Sequence, residues 1–292
     1  MESQVSFNRE KHLIQTLPDG AVLLDYGPMR MVIRVFDRAT PRVDLAAEGA
    51  GVAMRLLEDQ ARFLPVLKKK AHTLEVRTEY PGVVCRMIDS TRKTGESDLT
   101  PLAAVAGAGA DVVADFLFDR GATRVIVDNG GDIALRLREG ESARVGLKTA
   151  IDAGTPAYVI TVDAEMGVGG VATSGLGGRS FTKGIASAAT VLAENASLAD
   201  AAATVLGNFT NVEDPRIARA LAEALYPETD IAGEWVTTQV GALPPERVEE
   251  ALQNGLRKAD ALCEKGLIKG ALVAVKQKVA WTAYLDSRIQ TL

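Results

Sequence analysis

Cysteine and histidine are scarce in this sequence, with two of each in 292 residues. Cys85 and Cys263 lie far apart along the chain and supply too few ligands for a structural zinc site, so two buried thiols are expected. With His12 and His72 the only imidazoles, a Ser–His triad or a His-based zinc centre lacks its parts. Basic residues are scattered, and 33 Lys and Arg against 38 Asp and Glu leave a net charge of −5, which offers no electrostatic footprint for nucleic acid. No basic and apolar leader precedes a small-residue cleavage site, and no apolar run reads as long enough to span a bilayer. The expectation is a cytoplasmic protein with no membrane or nucleic-acid partner. No repeat at a fixed period is apparent either.

What the chain does have is a hydrophobic content of 47%, enough for one large core or two modest ones and too much for a small fold that needs covalent staples. Residues 21–26 and 31–36 are apolar, partly β-branched runs around Gly27-Pro28, which predicts an antiparallel hairpin. Met54, Leu57, Ala61 and Leu64 recur at helical spacing, and Pro65 should end or kink that helix. Lys68, Lys69 and Lys70 form a short charge run that reads as a solvated face. Residues 74–80 and 83–88 read as two further strands around Pro81-Gly82, and 89–99 as a polar surface loop. A proline-opened, alanine- and glycine-rich helix is expected over 101–118. Strands are then predicted at 124–128, 133–137, 143–147, 158–162, 188–193 and 271–275, with helices from Ser197 toward Leu206 and over 244–265.

Three constellations could carry chemistry. The turn Asn129-Gly130-Gly131-Asp132 places small and polar residues after an apolar strand, although an ordinary hairpin explains it without a ligand. The run from Gly167 through Ala172, Thr173, Ser174 and Gly175 to Gly178, Arg179 and Ser180 offers backbone N–H groups, hydroxyls and a guanidinium, all suited to phosphate; a surface loop is the alternative. It is not a Walker A motif, because no Lys-Ser or Lys-Thr pair follows the glycines. Asp200 and Thr204, four residues apart on the expected helix, present a carboxylate and a hydroxyl on one face, an oxygen pair that suits Mg²⁺. Asp200 also stands at the third position after Ser197, where a capping box would use it. Gly107 to Asp111 lacks the third glycine of a dinucleotide fingerprint and reads as helix packing.

Taken in order, Gly107 to Asp111, Asn129 to Asp132, Ala172 to Gly175 and Ala199 to Thr204 resemble the ApbE-like superfamily of FAD-dependent protein FMN transferases, in particular an uncharacterised branch of it. The resemblance is firmest over residues 100–207 and implies an α+β fold of mixed α and β layers, here a single domain over 1–292 with a helical C-terminal extension. It also implies Gly130, Gly131 and Asp132 near a flavin, Thr173, Ser174 and Gly175 near the nucleotide, and Asp200 with Thr204 as metal ligands; Asp111 matches an acidic residue of the preceding helix. FAD or FMN, with Mg²⁺, is the implied cofactor, and a phosphorylated small molecule the implied partner. Two departures stand out. The transferases carry Lys-Gly where this chain has Ala106-Gly107, and a His-x-x-Asp-Pro segment where it has a loop containing Arg179, Ser180, Phe181, Thr182 and Lys183. Flavin or nucleotide binding is less affected by these departures than catalysis, which the sequence leaves open. The alternative is a non-enzymatic interaction protein on the same scaffold, and a homodimer is the default expectation for either.

Overall fold

The computed structural model describes residues 12–292, and its fold is α+β, with helices and antiparallel sheets in separate layers. One large antiparallel sheet runs in the order His12–Thr16, Val22–Tyr26, Met29–Asp37, Arg124–Asn129, Asp132–Leu137, Gly170–Ser174, Ala188–Ala193, Gly270–Val275 and Lys278–Trp281. The short strand Thr40–Pro41 pairs beside Met29–Asp37. A three-stranded sheet, Ser142–Leu147 with Tyr158–Asp163 and Ile289–Thr291, covers the opposite face of the main sheet's second half. All six residues of Ala188–Ala193 are therefore buried, because helices cover one face and the small sheet the other.

The helices Val43–Arg62, Gly82–Lys93, Val105–Phe118, Ala196–Phe209 and Pro245–Glu264 supply the other layer. The predicted strand at 83–88 is instead part of the helix Gly82–Lys93, which buries Val83, Val84, Met87, Ile88 and Thr91 at helical spacing. Its β-branched residues suggested a strand, but packing against a helical neighbourhood overrides that propensity. Residues 74–80 form no strand, and the loop expected over 89–99 begins only after Lys93. Helix Val43–Arg62 opens well before Met54, and Pro65 lies in a separate short helix, Leu64–Leu67. The lysine run is less free than expected. Lys68 pairs with Glu228, and Lys70 reaches Glu234 and the Asp98 carbonyl. Cys85 and Cys263 are half-buried rather than fully interior.

The stretch Pro101–Phe118 is, by length and composition, apolar enough to cross a membrane, contrary to the expectation of no such run. Its apolarity has a local use: 56% of that stretch is buried within the protein. Gly107, in its first turns, lets the helix touch the backbone of Ala196, and a Cβ there would overlap the Ala196 carbonyl. Gly170 on the neighbouring strand approaches the same helix start at Asn195 and Ala196 just as closely. After Pro245–Glu264, the chain returns to the main sheet as Gly270–Val275, paired with Ala188–Ala193.

Two acids exchange caps between the central helices. Asp111, fully buried in Val105–Phe118, accepts the N–H groups of Ala196 at 3.0 Å and Ser197 at 2.8 Å. Asp200, in Ala196–Phe209, accepts the Gly107 N–H at 2.9 Å. Each helix thus satisfies the unpaired N–H groups at the start of the other. The local N-cap of Ala196–Phe209 is Asn195, whose side chain accepts the Leu198 N–H, so the expected capping box of Ser197 and Asp200 does not form. Ser197 lies one residue inside the helix and bonds Asn195 and Ser90.

Candidate functional site

The turn at Asn129 is a two-residue hairpin loop. Gly130 at φ 73° and Gly131 at φ 107° both occupy the left-handed region, as the favoured twist of such a loop requires. Asn129 is buried and donates its side-chain N–H to the Ala106 carbonyl at 3.1 Å, while Asp128 accepts the Gly131 N–H at 2.8 Å. The turn is consequently held against the start of the Val105–Phe118 helix. That places Asp132 beside Asp200, which is bonded to the same helix start.

Thr173 and Ser174 end the strand Gly170–Ser174, and Thr173 shares a hydroxyl hydrogen bond with Thr190 at 2.9 Å. The glycine-rich loop then turns outward, and Arg179 folds back over Gly130 to donate to the Pro28 carbonyl at 3.0 Å. These pieces enclose a cavity of about 440 Å³ lined by Gly130, Asp132, Thr173, Ser174, Gly175, Arg179, Asp200 and Thr204. Of the site residues expected from sequence, only Gly131 is not in its lining. Asp200 and Ser174, far apart in sequence, share one chamber.

Electrostatics distinguish this chamber from an ordinary cleft. Burial raises the Asp200 pKa to about 7, with a further push from Asp111, against the pull of the Gly107 and Ala106 N–H groups. Burial also lifts Asp132 well above the usual carboxylate range, and the nearby charges of Asp200 and Asp128 add to it; the Thr173 N–H and Arg179 oppose. Two half-buried, mutually repelling carboxylates lining one cavity with the Thr204 hydroxyl are a fitting donor set for a hard divalent cation. Among the described residues no three His, Cys, Asp or Glu side chains converge, so such a cation would complete its shell with ligand oxygens or water.

Sequence reasoning treated Asp132 as a flavin neighbour and missed its partnership with Asp200. It also missed Gln60, Met29 and Ile151, which line the chamber from distant segments and carry no local signal. Arg179 was visible as a candidate only through its glycine-rich surroundings.

A family model described as AbpE bacteria matches residues 14–281. A UPF0280 protein of Methanococcoides burtonii is 33% identical over 171 residues, 58% of this chain and 70% of that relative. A UPF0280 protein of Methanopyrus kandleri is 42% identical over 141 residues, 48% of this chain and 54% of its own length. Among solved structures, a point mutant of the flavin transferase ApbE from Vibrio cholerae aligns over 95% of this chain and 99% of its own, with a TM-score of 0.51 and 16% identity. At that identity the likeness is one of fold.

Proposed function

The chain belongs to the AbpE bacteria family, and on that premise we propose that it binds a flavin nucleotide, FAD or FMN, or another phosphorylated nucleotide, together with Mg²⁺. The observation that carries this reading is the facing pair Asp132 and Asp200, with Thr204, in a chamber also lined by Arg179 and the glycine-rich loop. In this reading Asp132, Asp200 and Thr204 hold the cation. When bound, the cation would neutralise phosphate charge and bring a phosphate to carboxylates that would otherwise repel it. Arg179, folded over Gly130, donates to phosphate oxygens, and loop N–H groups add neutral donors.

The reading is one of binding rather than of imidazole-based transfer. Lys183 stands in the loop where the transferases place their histidine. Burial works against its charge, but Asp98 and Glu234 hold its pKa above the ordinary lysine range. A protonated amine locked between two carboxylates cannot accept a proton.

The test is retention. Protein mixed with FAD and MgCl₂ and then desalted should carry flavin absorbance, and chelation with EDTA should release it. No flavin retained at micromolar FAD overturns the flavin reading, and if ADP or ATP with MgCl₂ gives no protection against unfolding either, the nucleotide reading as a whole is overturned. Arg179→Met should weaken retention roughly tenfold, the worth of a lost charge-assisted bond. Because Arg179 is exposed, the unfolding midpoint should not move. An interaction-only scaffold predicts neither effect.

A further inference from the structure

A second chamber of about 590 Å³ adjoins the first, and Leu102, Ala103, Val105, Arg179, Ser180 and Thr204 line both. Its outer wall comes from an excursion between Ile217–Leu221 and Trp235–Val240 that pairs with neither larger sheet. Four carboxylates line it, Asp98, Glu228, Asp230 and Glu234, against three cations, Lys68, Arg179 and Lys183. The carboxylates are not equivalent. Asp98 and Glu234 both pair with Lys183, Glu234 also with Lys70, and Glu228 with Lys68. Asp230 has no cationic partner among the described residues; its one hydrogen bond comes from the Thr100 hydroxyl. Two aromatic rings line the same chamber and are left exposed, Phe181 at 36% and Tyr226 at 56%.

A carboxylate in no ion pair among the described residues, sharing a chamber with two exposed aromatic rings, is a combination that recognises an organic ammonium group, through Coulomb attraction and the ring quadrupole together. We infer that the second chamber is a binding site for a small amine-bearing ligand with an aromatic or apolar body, its ammonium on Asp230 and its body against Tyr226 and Phe181. The inference deepens the reading of the first chamber by giving the nucleotide's neighbour a chemical class, but the amine site needs neither flavin nor metal to form.

Calorimetric titration of the full chain with 2-phenylethylamine, without flavin or Mg²⁺, tests it, with 2-phenylethanol and phenylacetate as neutral and anionic counterparts. The amine should bind more tightly than the alcohol, and phenylacetate should be weakest. Asp230→Asn, which keeps an acceptor for Thr100, should weaken the amine about tenfold and leave the alcohol unchanged. Tyr226→Ala, at an exposed position, should weaken both and the amine more than the alcohol, because the ring serves the ammonium as well as the body. Asp200→Ala should leave amine binding intact, so failure of the nucleotide reading would not be mistaken for failure of this one. Amine binding unmoved by Asp230→Asn, a preference for phenylacetate, or no amine binding at millimolar concentration each overturns the proposal.

Discussion

Asp111→Ala should lower the stability of the folded chain by about 3–5 kcal/mol, the cost of breaking a buried charge network from one side. Asp111 is wholly buried, and its two oxygens take the Ala196 and Ser197 N–H groups as well as Arg136 at 2.9 Å. Arg136 depends on that arrangement. Burial opposes its charge, yet Asp111 and Asp115 hold its pKa above the ordinary arginine value. Removing the Asp111 carboxylate leaves Asp115 as the one carboxylate on Arg136 and takes the acceptor from the Ala196 and Ser197 N–H groups, with Asn195 the remaining cap of the helix that carries Asp200. Urea unfolding should show a lower midpoint with an unchanged slope, and Asp111→Asn, which keeps one acceptor, should lose less. An unfolding free energy within about 0.5 kcal/mol of the parent would mean that this cap does not anchor the helix.

Asp200→Asn should have two effects of opposite sign. Loss of a ligand carboxylate should reduce Mg²⁺-dependent flavin retention on the order of 100-fold. The metal-free protein, in contrast, should become more stable by on the order of 2 kcal/mol at pH 8, after allowance for solvent screening. The reason is the raised pKa. The unfolded chain releases this proton near pH 4, whereas the folded chain holds it until about pH 7. Between those values the folded state binds more protons, so stability falls as pH rises across the window and levels off above it. Asp132, shifted in the same direction, steepens the fall. Thermal midpoints of metal-free protein from pH 4.5 to 8 should therefore decline in the parent and flatten in Asp200→Asn. Because Mg²⁺ needs the ionised carboxylate, its stabilising effect should be greatest above pH 7. Parallel pH profiles for parent and variant would refute the account.

The parts of this molecule that sequence made legible are those whose signal is local. The hairpin at Asn129 could be read from two glycines between apolar strands, and the α-helix Val105–Phe118 from alanine and spacing, whereas the proline opens a 3₁₀ turn, Pro101–Ala104, ahead of it. Residues 83–88 misled because valine and isoleucine favour strands, while their burial follows a helix packed on Val105–Phe118 and Ala196–Phe209. The cap of the Asp200 helix was placed two residues late, since Ser197 and Asp200 satisfy the local pattern and Asn195 wins only through its geometry. The family resemblance named most of the first chamber's polar residues. It could not announce the pairing of Asp132 with Asp200, nor the second chamber, whose lining joins residues near 68, 98, 181 and 230.

The close approach at Gly107 and Gly170 has a mechanical outcome. Main chain rests on main chain at the start of the Asp200 helix, so that wall cannot slide or rotate to suit a bulkier guest. The excursion opposite meets the body through the tips of Lys68, Lys70, Lys183 and Thr100. Such tips can be re-seated or exchanged with little disturbance elsewhere. The protein therefore behaves as a vice with one fixed jaw, and any change in what it grips has to be made on the other.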